Sequence, residues 1–503
     1  MIDPLSLFPV PSPVPLGPVH GHRVTLAAWT GVAAALGLFS WLGWRFSRVE
    51  SRSDFLLMGR GVGFWLFFGA YTGASIGGAS LAGFTGEGFS SGISSIWLIV
   101  VSSFTVPLFA LLFGPAINRF GREHGACTLG DFLVWRYGPA MRGPAMFLTY
   151  LRPAFITGLQ FLAVGTLMRV AFGVPTAAGV ILGAAIVLAY SFLGGQYSAI
   201  TSQWLQALFQ GLGMFVFLVL AIRVHGGVAA AGEALVRELP PAFLDAWHVS
   251  PRLLSVWVIS MGLFYFVDPW LYQWAYMARD RRTSRNALVA ASITSPWTAV
   301  SFLGGMLLAA GVRAGRLHLP AGLDPDLVYL HFVQHHVGTA LAAFLLVSFL
   351  MTVLSCASSF LMNGATILQA DLLEPLLGES ARRHPVTVGR AAVLLTGCFG
   401  IAAALWVPVL VPLWIIGQAI AVSGLFWPVL AAWAWPRATT AGAVASLLAG
   451  AVASFAWALA AWWQEGSANA LYHGLHAAHV GMGLSFLVLV AVSLATAAGG
   501  RTR

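Results

Sequence analysis

The chain is a succession of long apolar stretches separated by short segments rich in arginine, glycine and proline. About 20 consecutive apolar residues suffice for a helix to cross a bilayer. The pattern predicts thirteen membrane-spanning helices, which we number spans 1 to 13, at residues 24–44, 61–87, 92–117, 144–171, 174–194, 199–223, 252–277, 287–312, 337–370, 389–407, 409–433, 439–463 and 477–499. The fold class is therefore an all-α polytopic membrane protein.

Span 2 departs from the simple apolar pattern at its centre. Its residues 73–80, Gly-Ala-Ser-Ile-Gly-Gly-Ala-Ser, hold a helix poorly, because an interior glycine costs about 1 kcal/mol relative to alanine. In lipid, a break requires other partners for the freed backbone groups. One interpretation is a broken helix whose bare carbonyl and N–H groups bind an ion and a solute. The other is a small-residue surface for helix packing.

The composition fixes the class and the orientation. Hydrophobic residues make up 58% and charged residues 9% of the chain, far from the roughly 25% charged residues of soluble domains. All 26 basic residues are arginines, and 18 of them fall in loops on one side of the predicted bundle against 7 on the other. The excess of positive charge places that side in the cytoplasm, the N-terminus outside and the C-terminus inside. The net charge of +9 therefore indicates membrane topology and not a nucleic-acid partner.

The remaining composition predicts one transmembrane domain and no enzyme. A proline-rich segment, 1–22, is expected to be a disordered tail before a single domain over 23–500. The three cysteines show no paired or metal-ligand spacing. We find neither a phosphate-binding Gly-rich loop followed by lysine nor a Ser/His/Asp arrangement.

Two charges fall inside predicted spans and are functional candidates, because a buried charge in lipid is costly. Arg152 in span 4 either pairs with a carboxylate of a solute or extends to the membrane surface. Asp268 in span 7 is expected to cap a helix segment after a break at Pro269, which lacks an N–H. Glu87 is expected at the outer surface, and Asp371 at a structural junction of helices.

Seven stretches resemble the sodium:solute symporter family, in the same order along the chain. They cover Ser53 to Gly450 and are SDFLLMGRGVGFW (53–65), SIGGASLAGFTGEGFSSGIS (75–94), CTLGDFLVWRYG (127–138), LGGQYSAITSQWLQ (193–206), FVDPWLYQWAYMARD (266–280), SCASSFLMNGATILQAD (355–371) and SGLFWPVLAAWAWPRATTAGAVASLLAG (423–450). The resemblance implies two inverted five-helix repeats, spans 2–6 and 7–11, at about 61–223 and 252–433.

The resemblance also implies a sodium site between spans 2 and 9. Its ligands would be the backbone carbonyls of Gly73 and Ile76 and the side chains of Thr352, Ser355 and Cys356. Hydroxyl and carbonyl oxygens suit a hard cation. The alternative for the hydroxyls is a hydrogen bond to the carbonyl four residues earlier in their own helix.

Two positions depart from the family pattern. Cys356 stands where the family usually carries serine or threonine, and sulfur is a soft, poor ligand for sodium. Gln203 stands where many members carry an aspartate that is associated with a second sodium ion or a proton. Its absence indicates one coupling ion.

The solute site implied by the family lies along spans 2, 4 and 7. Its candidate residues are Ser75, Ser80, Arg152, Gln160, Tyr265, Pro269 and Gln273. A glutamate typical of the sugar-transporting branch is replaced by Ile99, which disfavours a sugar. The resemblance thus implies a bacterial cytoplasmic-membrane symporter that couples Na+ influx to uptake of a small solute, with a carboxylate or an amino acid favoured. A proton-coupled symporter and a transporter-fold sensor or scaffold remain alternatives.

Overall fold

The computed structural model describes residues 22–320, 322–407 and 410–499, and nearly the whole predicted N-terminal tail lies outside them. The described residues fold into helices α1 to α23, which are His22–Arg45, Arg52–Leu57, Phe64–Ser75, Phe84–Ser91, Trp97–Leu112, Gly114–His124, Leu129–Tyr137, Arg142–Phe172, Thr176–Arg223, Val228–Glu238, Pro241–Leu244, Pro251–Trp257, Pro269–Met277, Arg281–Thr294, Ala299–Arg313, Val328–His336, Thr339–Ile367, Glu374–Leu377, Glu379–Arg383, Pro385–Trp406, Leu410–Ala434, Thr440–Glu465 and Ala477–Gly499. This all-helical architecture matches the fold class expected from the sequence.

Nine elements of the described chain are long and apolar enough to cross a membrane. Some predicted spans are missing from that set because their helices are interrupted. Span 2 breaks after Ser75, and span 8 is divided by a 3-10 turn at Ser295–Thr298. Spans 5 and 6 instead form one element, α9, whose two arms meet at Gly195 with a positive φ of 55°.

Helix α17 is the centre of the bundle. It packs against α9, α8, α3, α1 and α20, and nearly every side chain from Ala342 to Ile367 is buried. Small residues at these contacts let the neighbouring helices approach α17 closely, as is usual where helices associate in a membrane. Helices α22 and α23 pack on each other and on α21, away from this centre.

The two interrupted helices meet at one end of the bundle. The Val62 N–H donates to the Met277 carbonyl at 3.1 Å, and the Arg279 N–H donates to the Val62 carbonyl at 3.0 Å. This contact joins the start of α3 to the end of α13. The same end gathers arginine side chains, and we call it the Arg-rich end; its members include Arg52, Arg60, Arg122, Arg142 and Arg279.

Candidate functional site

The chain unwinds where the glycine-rich pattern of span 2 predicted a break. Helix α3 ends at Ser75, and Ile76 is extended with φ −105° and ψ 114°. A π-helical turn, Ala79–Gly83, then leads into α4. The freed Gly78 N–H donates to Gln160 Oε1 at 3.0 Å, which satisfies in part the demand for partners at membrane depth.

Both carbonyls expected to bind sodium face polar side chains of neighbouring helices. Ser355 Oγ donates to the Gly73 carbonyl at 2.8 Å, so α17 and the end of α3 are in contact. The Ile76 carbonyl accepts a hydrogen bond from Gln210 Nε2 at 3.0 Å. Thr352 Oγ1 donates to the Ser348 carbonyl in its own helix at 2.9 Å, the alternative foreseen for a helical hydroxyl.

Glycine is required here because three helices converge on the end of α3. A Cβ added at Gly73 would lie 2.6 Å from the Gln203 carbonyl oxygen of α9. A Cβ added at Gly77 would lie 2.9 Å from Cys356 Sγ of α17 and 2.9 Å from the Gln160 amide of α8. The unwound segment is therefore packed tightly between α8, α9 and α17.

The two departures from the family pattern lie on either side of this segment. Cys356 is buried beside Gly77 and presents sulfur where the family pattern has a hydroxyl. Gln203 is fully buried in α9, and its Nε2 donates to Ser358 Oγ at 3.2 Å.

The second break lies in span 7. The chain passes through a π turn, Val258–Gly262, and a 3-10 turn, Leu263–Val267, before it becomes extended at Asp268 with φ −70° and ψ 110°. Pro269 then opens α13, and Asp268 Oδ1 accepts the Trp270 N–H at 3.0 Å. Asp268 thus caps α13, as expected from the sequence.

Asp268 is also the ion-pair partner of Arg152. Arg152 Nη1 lies 2.7 Å from Asp268 Oδ1, and the two side chains are 8% and 0% exposed. The guanidinium lies over the rings of Phe264 and Phe360, with its Cζ 5.0 and 4.9 Å from their centroids. Arg152 therefore does not extend to the membrane surface and keeps its charge inside the bundle.

This pair is chemically incomplete. Arg152 Nε and Asp268 Oδ2 are both buried and have no hydrogen-bond partner among the residues that the structure describes. A buried polar group without a partner costs about 1–3 kcal/mol, and more when it is charged. One unused donor and one unused acceptor therefore remain together in the centre of the bundle.

Aromatic rings enclose the pair. Tyr71 of α3 stacks on Trp270 at 4.8 Å between ring centroids, and Trp270 stacks on Phe360 at 5.2 Å. The Trp270 Nε1–H donates to Ser359 Oγ at 2.8 Å, which fixes the indole against α17. Sequence reasoning did not identify these rings, because one aromatic residue in an apolar span resembles any other.

The other expected solute residues are not gathered around the pair to the same degree. The Gln273 amide bonds to Thr366 Oγ1 at 2.7 Å and to Asn363 Nδ2 at 2.9 Å, so its polar atoms are engaged elsewhere. Ser75 Oγ donates to the carbonyl of Thr72 in its own helix, and Ser80 Oγ faces the Gly77 N–H at 3.4 Å. Tyr265 is partly buried in the 3-10 turn before Asp268.

The charges expected outside the site have structural partners. Glu87 Oε2 accepts a hydrogen bond from Ser95 Oγ at 2.9 Å in the next turn of the chain. Asp371 Oδ1 lies 3.2 Å from Arg142 Nη1 at the Arg-rich end.

Two interrupted helices in contact beside a buried charge pair are features of membrane transporters. The profile of the sodium:solute symporter family matches residues 55–450, and the chain belongs to that family. This is a family of transporters and not of enzymes, and the chain is accordingly a multi-pass membrane protein for sodium-coupled symport of a small solute.

Three individual relatives share 16–26% sequence identity with this chain. The osmoregulated proline transporter OpuE of Bacillus subtilis is 24% identical over 425 residues, with 83% of this chain and 85% of that protein covered. The sodium/proline symporter of Staphylococcus aureus is 26% identical, with 80% of each chain covered. A sodium-coupled sialic acid symporter, solved in a substrate-bound outward-open state, superposes with a TM-score of 0.79 at 16% identity and covers 93% of this chain and 97% of its own. At that identity the superposition shows the fold alone.

Proposed function

We propose that the protein couples Na+ influx to the uptake of a small organic solute that carries a carboxylate, with an amino acid as the favoured class. The observation that carries this proposal is the buried Arg152–Asp268 pair with its unused Nε donor. A guanidinium binds carboxylates through directed N–H groups, and charge-assisted bonds of this kind are strong. The sodium/proline symporters among the relatives agree with a solute of this kind.

The orientation and internal repeats form part of the same proposal. Thirteen spans would place the N-terminus outside and the Arg-rich end in the bacterial cytoplasm, as the positive-inside rule favours. Helices α3 and α4 would open one inverted repeat, about 61–223, and α12 and α13 the other, about 252–433. A break in the first helix of each proposed repeat supports this division.

The sodium ion would bind at the break in α3. Its ligands would be the carbonyls of Gly73 and Ile76 and the side chains of Thr352 and Ser355, with Cys356 as a weak fifth member. The 2.8 Å hydrogen bond from Ser355 Oγ to the Gly73 carbonyl supports this set, because it brings two of the proposed oxygen ligands together. Neutral oxygens suit a hard monovalent cation.

The solute would bind between the two breaks. Arg152 would take its carboxylate, and Tyr265, Pro269, Ser75 and Ser80 would line the path. Gln160 and Gln273 would act indirectly, because Gln160 bonds the backbone of Gly78 and Gln273 bonds the side chain of Thr366. Rocking of the bundle around the fixed site would expose it to each side in turn.

The test is uptake by reconstituted vesicles under an imposed sodium gradient, compared with potassium at equal ionic strength. Ser355→Ala should raise the sodium concentration for half-maximal uptake about tenfold, the effect of one lost interaction of about 1.4 kcal/mol. Ser446→Ala is a matched control, since Ser446 is equally buried but bonds Ser485 in the peripheral helices. Competition only by solutes that lack a carboxylate would contradict the carboxylate assignment.

Two alternatives keep specific support. Cys356 and Gln203 weaken the ligand sets for cations, which favours a proton-coupled symporter or a transporter-fold sensor or scaffold. Uptake driven by a proton gradient without sodium would identify the first. A Ser355→Ala variant that keeps its cellular phenotype while no solute is transported would identify the second.

A further inference from the structure

One face of α9 carries three buried glutamine amides. Gln203, Gln206 and Gln210 recur at i, i+3 and i+7, which places them on one side of a helix. Their side chains are 0%, 0% and 2% exposed, and α9 packs there against α3 and α17. Such a row of buried amides in an apolar bundle is costly unless each amide has a polar partner.

The partners of these amides are incomplete. Gln203 Oε1 is buried and has no hydrogen-bond partner among the described residues, and the Gln206 amide lies beside the Tyr190 hydroxyl. Gln210 Nε2 donates to the carbonyl of Ile76. The described residues therefore leave part of this polar face unsatisfied, and Gln210 is the member of the row that reaches the unwound segment of span 2.

Gln210 reaches the proposed sodium site. The carbonyl that it bonds belongs to Ile76, one of the oxygens proposed above to hold sodium. The two ends of a glutamine amide have nearly the same size and shape. Rotation of the terminal amide by half a turn would therefore present Oε1, an acceptor, in the place now taken by the NH2 group.

On the opposite side of the same segment, one expected hydroxyl is replaced by sulfur. Cys356 Sγ lies next to Gly77, where the family pattern has a hydroxyl. Thiol sulfur is a poor ligand for a hard cation, whereas an amide oxygen is a good one. Gln210 approaches Ile76 from α9, and Cys356 approaches the adjacent Gly77 from α17.

We propose that Gln210 is a sodium ligand: its Oε1 completes the set of Gly73, Ile76, Thr352 and Ser355 in place of the hydroxyl that Cys356 lacks. The proposal rests on the sodium site of the proposed function. In the structure, the Gln210 amide donates to the Ile76 carbonyl. When the ion binds, the amide turns and α9 becomes part of the coordination, which links sodium binding to the helix packed against both α3 and α17.

The experiment measures binding and not transport. The melting temperature of the purified full chain is followed as sodium replaces potassium at constant ionic strength, and the sodium concentration for half of the maximal stabilisation is determined. Gln210→Met keeps the length of the side chain but removes the amide, and it should raise that concentration about tenfold or more. Gln334→Met is the control, because the Gln334 amide also donates to a backbone carbonyl, that of Val170, in a different part of the bundle; it should leave the sodium response unchanged.

Whether Gln210 takes the place of the missing hydroxyl is tested by restoring that hydroxyl at position 356. Cys356→Ser in the Gln210→Met background should recover most of the lost sodium affinity, because one hard oxygen again serves the site. Gln210→Glu, which retains an oxygen at the same reach, should keep or strengthen the sodium response and covers the case in which Gln210→Met does not fold.

The outcomes separate the two proposals. A wild-type protein that melts identically in sodium and potassium would overturn the proposed sodium coupling itself. A wild-type sodium response that persists in full in Gln210→Met, or that Gln210→Glu abolishes, would overturn the role of Gln210 and leave the sodium site intact.

Discussion

Two arginine–carboxylate pairs lie at different depths in the bundle, and they are built differently. At the centre, Arg152 and Asp268 share a single contact of 2.7 Å, and Nε and Oδ2 are left without partners. At the Arg-rich end, Arg52 meets Glu374 through two contacts, Nε to Oε1 at 2.6 Å and Nη2 to Oε2 at 2.9 Å. The outer pair is bidentate, and the central pair is not.

The difference is the reverse of what stability alone would favour. Complete hydrogen bonding matters most where water is excluded, because an unpaired buried charge has no compensation. Yet the pair with 8% and 0% exposure is incomplete, and the pair with 33% and 24% exposure is saturated. The outer pair therefore fastens helices together, whereas the central pair leaves one donor and one acceptor unused among the described residues, as the proposed binding of a solute there requires.

The largest effect is expected from breaking the central pair. Arg152→Met leaves the Asp268 carboxylate buried and unpaired, which should destabilise the protein by roughly 3–5 kcal/mol. The double variant Arg152→Met with Asp268→Asn removes both charges and keeps a residue that caps helices well. Its melting temperature should therefore return close to that of the wild type, while stabilisation by the solute is lost.

Solute binding distinguishes a functional pair from a structural one. If the double variant is stable and still gains thermal stability from the same carboxylate or amino acid, the guanidinium does not hold the solute. The comparison between the two pairs would then reflect packing only.

Breaking the outer pair should have a smaller effect. Glu374→Gln removes one charge from a partly exposed pair, so the loss should be about 1 kcal/mol. The affinity for the solute should not change, since the pair bonds neither broken helix. Glu379→Gln is the control, because the Glu379 side chain is 74% exposed beside Arg382 and Arg383 and its replacement should not measurably change the stability. A loss of solute affinity in Glu374→Gln without loss of stability would remove the distinction between the pairs.

The local features of this architecture could be read from the sequence, and the contacts between helices could not. The glycines around Ile76 and the proline after Asp268 act on their own backbone, so both breaks were predictable. The bond from Gln210 to Ile76 joins residues 134 positions apart, and the pair of Arg152 with Asp268 joins residues 116 apart. Such contacts depend on how the helices are rotated and packed.

Helix rotation also explains why one expected solute residue has other partners. The position of Gln273 after Pro269 indicated which helix it occupies, but not which way the amide points. In the structure it lies against Asn363 and Thr366 of α17. The signal available in the sequence was the run of polar residues on one face of α17, which includes both of these partners.

The smallest predicted effect is on the reactivity of a cysteine beside the outer pair. Cys127 is buried at the Arg-rich end, where its Sγ accepts a hydrogen bond from Arg52 Nη2 at 3.1 Å. Burial raises the pKa of the Cys127 thiol well above its ordinary value, and the charge of Arg52 offsets only part of that rise. Because the thiolate is the reactive form, Cys127 should react slowly with a maleimide near pH 7.5 while the outer pair is intact.

Labelling of Cys127 thus reports whether the saturated pair closes this end of the bundle. In a Cys398→Ser background, Glu374→Gln should speed labelling at Cys127 several-fold, since Arg52 loses its carboxylate partner and water reaches the thiol. Cys356, buried in α17, is the internal reference and should label equally slowly in both proteins. Mass spectrometry of the peptides separates the two sites. Equal labelling rates at Cys127 with and without Glu374→Gln would mean that other contacts, such as the one between Arg142 and Asp371, close this end. The outer pair would then be one of several contacts that hold the helices together there.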